Sequence, residues 1–191
     1  MAGGQGTRLG GVRKALVRVG GRSILERILD QLGPLVDERL ALVQDTDLPP
    51  LEGLRLVVDT RAYAGPLPAL AHGLPLATGD ICILVAGDMP FVSRGAFEHL
   101  LELQAREDAA VVVPYIDGHI ESMHTVFRRR ELLDGLETAQ RTGEQRLFKV
   151  FEWLGPRLVD EAELRSVDPD LHSLFNVNSP EDLALAEQLA R

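Results

Sequence analysis

The chain has 191 residues, of which 45% are hydrophobic and 26% charged, as is usual for one globular domain with a substantial core. Its net charge of −9 argues against a surface that binds nucleic acid or anionic membranes. The lone cysteine, Cys82, cannot form an internal disulfide, and the sequence contains no signal peptide or membrane-length apolar segment. We therefore expect one domain over residues 1–191, located in the cytoplasm.

The segment Ala2–Leu16 is rich in glycine and carries two cations, Arg8 and Lys14. Glycine adopts positive φ without steric cost, so backbone N–H groups around Gly3 and Gly4 can turn inward and form an anion-binding concavity. The segment lacks the Lys-Ser/Thr ending of a P-loop and the glycine spacing of the dinucleotide fingerprint. The pattern indicates a nucleoside triphosphate site, and a flexible glycine-rich segment is the alternative.

Short apolar runs alternate with helical patterns, which predicts an α/β fold with a mostly parallel sheet. Strands that are apolar on both faces are predicted at Arg39–Val43, Leu54–Val58, Ile81–Ala86 and Ala109–Pro114. Three helices are predicted to begin after the N-cap residues Ser23, Ser93 and Ser179. A fourth helix is predicted from the helical spacing of Leu147, Val150, Phe151 and Leu154.

Two acidic residues follow predicted strands. In open α/β sheets, ligands bind at the carboxyl ends of the strands. Asp88 comes after the most apolar strand and is well placed to hold Mg²⁺, which takes one or two carboxylates plus substrate phosphates. A turn aspartate that accepts backbone N–H bonds is the alternative. Asp59 precedes a Gly65–Pro66 turn, and it either accepts hydrogen bonds from a nucleotide or is a solvated turn residue.

Two asparagines, Asn176 and Asn178, precede the last predicted helix. The asparagine amide supplies a donor and an acceptor without charge, which suits a position beside a metal–phosphate cluster. Taken alone, an asparagine is more often a turn former.

In this order, these segments resemble the molybdenum cofactor guanylyltransferases over essentially the whole chain. The matching stretches are Ala2–Leu16, Asp59–Leu67, Gly87–Phe91 and Asn176–Leu183. The resemblance implies a three-layer α/β/α Rossmann-like nucleotidyltransferase fold with a mostly parallel sheet. The sequence departs from the family pattern at Arg13, where the family has aspartate.

The resemblance also implies a reaction and a set of site residues. A terminal phosphate of molybdopterin would attack the α-phosphorus of GTP and release pyrophosphate, which requires positioning and charge neutralisation more than a protein nucleophile. Lys14, Arg8 and Asp88 would be catalytic, with Asp88 as the Mg²⁺ ligand. The residues expected to bind the nucleotide and acceptor are Ala2, Gly3, Gly4, Lys14, Asp59, Asp88, Asn176 and Asn178.

The expected partners are GTP and molybdopterin or the molybdenum cofactor, with transient contacts to proteins that handle this cofactor. Two alternatives remain within enzymes: transfer from CTP, and transfer to another phosphate such as cobinamide phosphate. A nucleotide-binding protein without turnover is a third alternative, and a structural domain that binds nothing is a fourth.

The position of the glycine-rich segment in the chain leads to one further expectation. Such a loop normally follows a buried strand, yet only Met1 precedes Ala2. Loss of a central strand would expose the ladder groups of its two neighbours. We therefore expect the N-terminal strand to be truncated and the native protein to extend upstream.

Overall fold

A computed structural model describes residues 5–6, 12–44, 48, 51–59 and 65–191. The strands are β1 (Gln5–Gly6), β2 (Val12–Arg13), β3 (Arg18–Val19), β4 (Arg22–Ser23), β5 (Leu40–Val43), β6 (Arg55–Val58), β7 (Ile81–Val85), β8 (Val111–Ile116), β9 (His119–Ile120), β10 (His124–Arg128) and β11 (Arg157–Asp160). The α-helices are α1 (Ile24–Leu32), α2 (Pro66–Gly73), α3 (Arg94–Glu107), α4 (Arg129–Thr142), α5 (Leu147–Trp153), α6 (Glu161–Arg165) and α7 (Pro180–Leu189).

The largest sheet has the strand order β11-β8-β10-β7, with β9 paired to β8 as a short antiparallel extension. β11 runs parallel to β8, whereas β10 runs antiparallel to both of its neighbours. A second sheet consists of β5 and β6, which are parallel. The four predicted strands are confirmed as β5, β6, β7 and β8 to within two residues at each end. The longer strands β10 and β11 and the two-residue strands β1–β4 and β9 were not predicted from the sequence.

Alternate residues of the large sheet pack against helices on opposite faces. Val112 and Val126 are fully buried in the cluster that contains Phe97 of α3. Their chain neighbours Val111 and Phe127 belong to a different cluster, which contains residues of α2, α4 and α5. This alternation produces three layers, in agreement with the expected α/β/α arrangement.

The predicted helix starts are confirmed where a serine caps the helix. The Ser23 hydroxyl accepts a hydrogen bond from the backbone N–H of Glu26 at the start of α1. The Ser93 hydroxyl accepts one from the backbone N–H of Ala96 at the start of α3. Ser179 caps α7 together with Asp182 in a capping box. No helix in the described part of the chain is both long and apolar enough to cross a membrane.

Candidate nucleotide site

Lys14 lies at the junction of the two sheets. It begins a short 3₁₀-helix, Lys14–Leu16, directly after β2. The next residue, Ala15, is buried in the apolar cluster that contains Ala41 and Val43 of β5. The Lys14 side chain extends from this segment to Asp88, which lies three residues after the end of β7.

The Lys14 ammonium contacts two of the residues that the sequence singles out. Nζ donates a hydrogen bond to Asp88 Oδ2 at 2.9 Å and a second one to Asn178 Oδ1. The lysine and aspartate side chains are 22% and 18% exposed, so the ion pair is largely but not fully shielded from water. The contact joins three segments that are far apart in sequence and gathers a cation, a carboxylate and an amide at one point.

Asp88 follows β7 by three residues and is fixed through its backbone. Its carbonyl oxygen accepts a hydrogen bond from the backbone N–H of Val177 at 2.8 Å, which draws the Asn176–Asn178 segment to the end of β7. One carboxylate oxygen, Oδ2, accepts from Lys14. The other, Oδ1, is buried and has no hydrogen-bond partner among the residues described.

Asn178 is positioned by the first turn of α7. The Asp182 carboxylate accepts hydrogen bonds from the backbone N–H groups of Asn178 and Ser179, both at 2.9 Å. The bond from Asn178, followed by smaller contributions from Ser179 and the charge of Lys14, lowers the pKa of Asp182 below its ordinary value. Asp182 is not among the site residues predicted from the sequence. Its link to Asn178 is visible only in three dimensions.

The remaining predicted residues are distributed differently. Asp59 follows β6, and its backbone N–H donates to the Val43 carbonyl at 2.8 Å, so it lies at the carboxyl end of the two-stranded sheet. The Asn176 amide donates to the Leu174 carbonyl at 2.8 Å. Among the described residues, the Lys14 ammonium donates to Asp88 and Asn178 and not to these two. The predictions for Ala2, Gly3, Gly4 and Arg8 fall outside the described residues.

The donor set at Asp88 suits a metal that arrives with its substrate. Within the described ranges, no group of three or more His, Cys, Asp or Glu side chains could hold a metal by itself. A single carboxylate with one buried unpaired oxygen fits Mg²⁺, because this ion keeps several waters and completes its shell with substrate phosphates.

His124 lies in the core behind this site. It is fully buried at the start of β10, opposite Val85 of β7, and its ring stacks on Phe97 at a centroid distance of 4.2 Å. Burial lowers the pKa of His124 to about 4, although nearby Asp168 and the backbone of Ser173 act in the opposite direction. This histidine is therefore neutral at physiological pH and serves as a packing residue.

Comparisons with known proteins show which family the chain is similar to. Residues 1–160 match the MobA-like NTP transferase domain. The chain is 35% identical to a probable molybdenum cofactor guanylyltransferase of Methanosarcina acetivorans, over 96% of this chain and 86% of the relative. It is 30% identical to a molybdenum cofactor guanylyltransferase of Desulfosudis oleivorans, over 98% of this chain and 92% of the relative.

Solved structures share the fold. Molybdopterin-guanine dinucleotide biosynthesis protein A from Archaeoglobus fulgidus superimposes with a TM-score of 0.78 at 24% identity, over 98% of this chain and 95% of that chain. A 2-C-methyl-D-erythritol 4-phosphate cytidylyltransferase from Thermus thermophilus gives a TM-score of 0.73 at 23% identity, over 94% of each chain. With a family match that spans most of its length, the chain belongs to the MobA-like NTP transferases.

Proposed function

We propose that this protein transfers GMP from GTP to the terminal phosphate of molybdopterin or the molybdenum cofactor, with release of pyrophosphate. The observation that carries the proposal is the contact of Lys14 with both Asp88 and Asn178 at the carboxyl ends of the strands. The names of the relatives point to the same reaction.

The proposed chemistry requires little beyond positioning and neutralisation of charge. An oxygen of the acceptor phosphate forms a bond to the α-phosphorus of GTP. The bond between the α-phosphorus and the oxygen that bridges it to the β-phosphorus breaks. Because the acceptor phosphate is already ionised near neutral pH, the step needs no general base. The leaving pyrophosphate carries the displaced electron pair.

Lys14 has the role of stabilising this leaving charge. An ammonium has three donors, of which the contacts to Asp88 and Asn178 use two, and a phosphate oxygen can take the third. Asn178 and Asp88 hold the ammonium in place, so that little reorganisation is needed when charge develops. We propose that Arg8 and the backbone of Ala2, Gly3 and Gly4 assist Lys14 at the triphosphate.

The other sequence-predicted residues have binding roles in this proposal. Asp88 would hold Mg²⁺, which when bound lowers the negative charge of the phosphates. Asp59 would bind the nucleotide from the end of β6. Asn176 and Asn178, which the Val177–Asp88 backbone bond brings to the end of β7, would face the acceptor.

The direct test is incubation of the full chain with Mg²⁺, molybdopterin and GTP, CTP or ATP in turn, with measurement of pyrophosphate and of the dinucleotide product. We expect pyrophosphate only when GTP and molybdopterin are both present. Release of pyrophosphate with CTP, but not with GTP or ATP, would show that the protein transfers a cytidylyl group. Binding of GTP without pyrophosphate release from any acceptor would replace transfer with a binding function.

Substitution of Asp88 tests the proposed metal ligand. Asp88→Asn keeps the size of the side chain but removes its charge, so we expect the transfer rate to fall roughly 100-fold or more while the circular dichroism spectrum is unchanged. Asp117→Asn is the matched control, because Asp117 is exposed in a turn with φ of 49°, a conformation that asparagine tolerates. Near-normal transfer by Asp88→Asn would remove this residue from the site.

A further inference from the structure

The side chain of Arg27 connects three segments near the candidate site. It extends from α1 and is half-buried. Its Nε donates a hydrogen bond to the Pro90 carbonyl at 2.7 Å, and its Nη1 donates to the Val19 carbonyl of β3 at 3.3 Å. Because Pro90 lies two residues after Asp88, Arg27 links α1 and β3 to the loop that carries the proposed metal ligand.

The same guanidinium also covers the ring of Phe91. The Arg27 Cζ lies 5.3 Å from the ring centroid, a distance at which a cation is attracted to an aromatic face. The Phe91 ring in turn packs near the rings of Phe175 and His172, at centroid distances of 5.9 and 6.0 Å. These contacts extend the link from the loop after β7 to the segment that leads into Asn176–Asn178.

The two linked segments meet again at Asp88. Its carbonyl oxygen accepts the hydrogen bond of the Val177 N–H, and Val177 is completely buried. The side chains of Asp88 and Asn178 are the two acceptors of the Lys14 ammonium. Arg27 therefore holds, through the loop and its aromatic contacts, the two segments that supply the partners of Lys14.

An arginine suits this position because its planar guanidinium combines several fixed donors with a flat face. At Arg27, two donors bond to carbonyls from different segments while the face covers Phe91. Both acceptors belong to the backbone, so these bonds constrain the path of the main chain and do not neutralise a side-chain charge. The contacts of Arg27 are those of a residue that sets geometry.

We propose that Arg27 is a positioning residue for the candidate nucleotide site. Through Pro90 and Phe91 it holds the loop after β7 against α1, and so fixes the Asp88 carboxylate where Lys14 contacts it. The proposal rests on the proposed function where it concerns Mg²⁺ and the nucleotide. Without Arg27, the Asp88 side chain would sample more orientations. A bound Mg²⁺–nucleotide would have to order them, which weakens its binding.

The first experiment measures amide hydrogen exchange of the full chain that carries Arg27→Met. Methionine keeps an unbranched side chain on α1 but has neither the donors nor the charge of arginine. The Val177 amide, which donates to the Asp88 carbonyl, should exchange roughly 10-fold faster relative to the amides of Val111–Val113 in β8. A role in overall stability alone would lower the protection of both groups equally.

The second experiment follows transfer as the Mg²⁺ concentration is varied. Arg27→Met should raise the Mg²⁺ concentration for half-maximal transfer roughly 10-fold, while the rate at saturating Mg²⁺ stays within roughly 3-fold of the parent. Arg27→Lys should recover most of both effects, since it keeps a cation for Phe91 and a donor for the Pro90 carbonyl.

Arg94→Met is the matched control. Arg94 is an exposed arginine at the start of α3 that pairs with Glu98, and its loss should leave Val177 exchange and the Mg²⁺ requirement at the parent values. Unchanged relative exchange of Val177 in Arg27→Met, or faster exchange with an unchanged Mg²⁺ requirement, would overturn the proposal. Absence of transfer in the parent chain would count against the proposed function, and the exchange of Val177 would then decide the positioning role by itself.

Discussion

At the residue scale, the partly exposed Lys14–Asp88 pair has a geometry that adds little to stability. Ion pairs with partly exposed members contribute little to folding, commonly below about 1 kcal/mol. Both side chains here keep about a fifth of their surface in contact with solvent. The added amide of Asn178 does not increase the charge, but it directs the ammonium. This geometry supports the proposed role of Lys14 at the triphosphate.

His124 leads to a prediction about pH. The unfolded chain protonates this histidine below its ordinary pKa of 6.5, whereas the folded protein keeps it neutral down to about pH 4. The unfolded state therefore binds more protons in this window, and the free energy of unfolding should fall by about 3 kcal/mol between pH 6.5 and pH 4. Chemical denaturation across this range measures the effect.

The control for this prediction is His124→Phe, which keeps a ring against Phe97 but cannot titrate. Its stability should change less steeply between pH 6.5 and pH 4 than that of the parent. Parallel pH profiles for the two proteins would show that another group is responsible.

At the scale of elements, α1 and α7 both begin with a capping box, but the acidic residues of the two boxes make different contacts. Each has a serine N-cap and an acidic residue three positions later, and both acids accept from the backbone of the cap. Glu26 in α1 closes only its own cap, Ser23. Asp182 in α7 also accepts from the backbone of Asn178, and so connects the helix to the candidate site.

This difference can be measured with a matched pair of variants. Glu26→Ala and Asp182→Ala should each lower Tm by roughly 2 to 4 °C, because each opens a capping box. Only Asp182→Ala should weaken GTP binding in a titration, since it releases Asn178 and with it one partner of Lys14. Equal GTP affinity in the two variants would contradict a positioning role for Asp182.

The elements that the sequence predicts are those with local causes. Ser23, Ser93 and Ser179 cap helices through atoms within three residues, so they can be identified from the sequence. β10 could not be identified in this way, because it begins with His124 and Thr125, which are completely buried and pair with distant residues of β7.

The candidate site shows the same limit. The family resemblance groups Lys14 and Asp88 in one site, and in the structure Lys14 Nζ and Asp88 Oδ2 are 2.9 Å apart. Their catalytic and metal-binding roles stay predictions. The backbone bond between Val177 and Asp88 had no signal in the sequence, since a backbone N–H is the same in every residue except proline.

At the scale of the whole molecule, the large sheet and the β5–β6 sheet differ in how they are supported. β8 and β10 lie between helical layers in two large apolar clusters. β5 and β6 depend on a separate cluster that contains Ala15, Leu25, Ala41, Val43 and Leu48. Because local stability follows buried apolar contact, the two-stranded sheet should open without unfolding the rest.

Amide hydrogen exchange on the parent chain tests this expectation. Amides of Leu40–Val43 should exchange faster than those of Val111–Val113, through an opening that costs less free energy than global unfolding. As denaturant is increased, the exchange rates of these two groups of amides should become equal only near the unfolding transition. Equal protection of the two sheets from the start would show that they already unfold as one unit.

The contacts of Lys14 also bear on the order in which the protein matures during synthesis. Its partners lie 74 and 164 positions further along the chain. Contacts of such long range form late, because the ends of a long loop must first be brought together. A nascent polypeptide that still lacks its last helix would therefore lack the contact of Lys14 with Asn178. In the proposed function, the complete nucleotide site would form only after the C-terminal residues had left the ribosome.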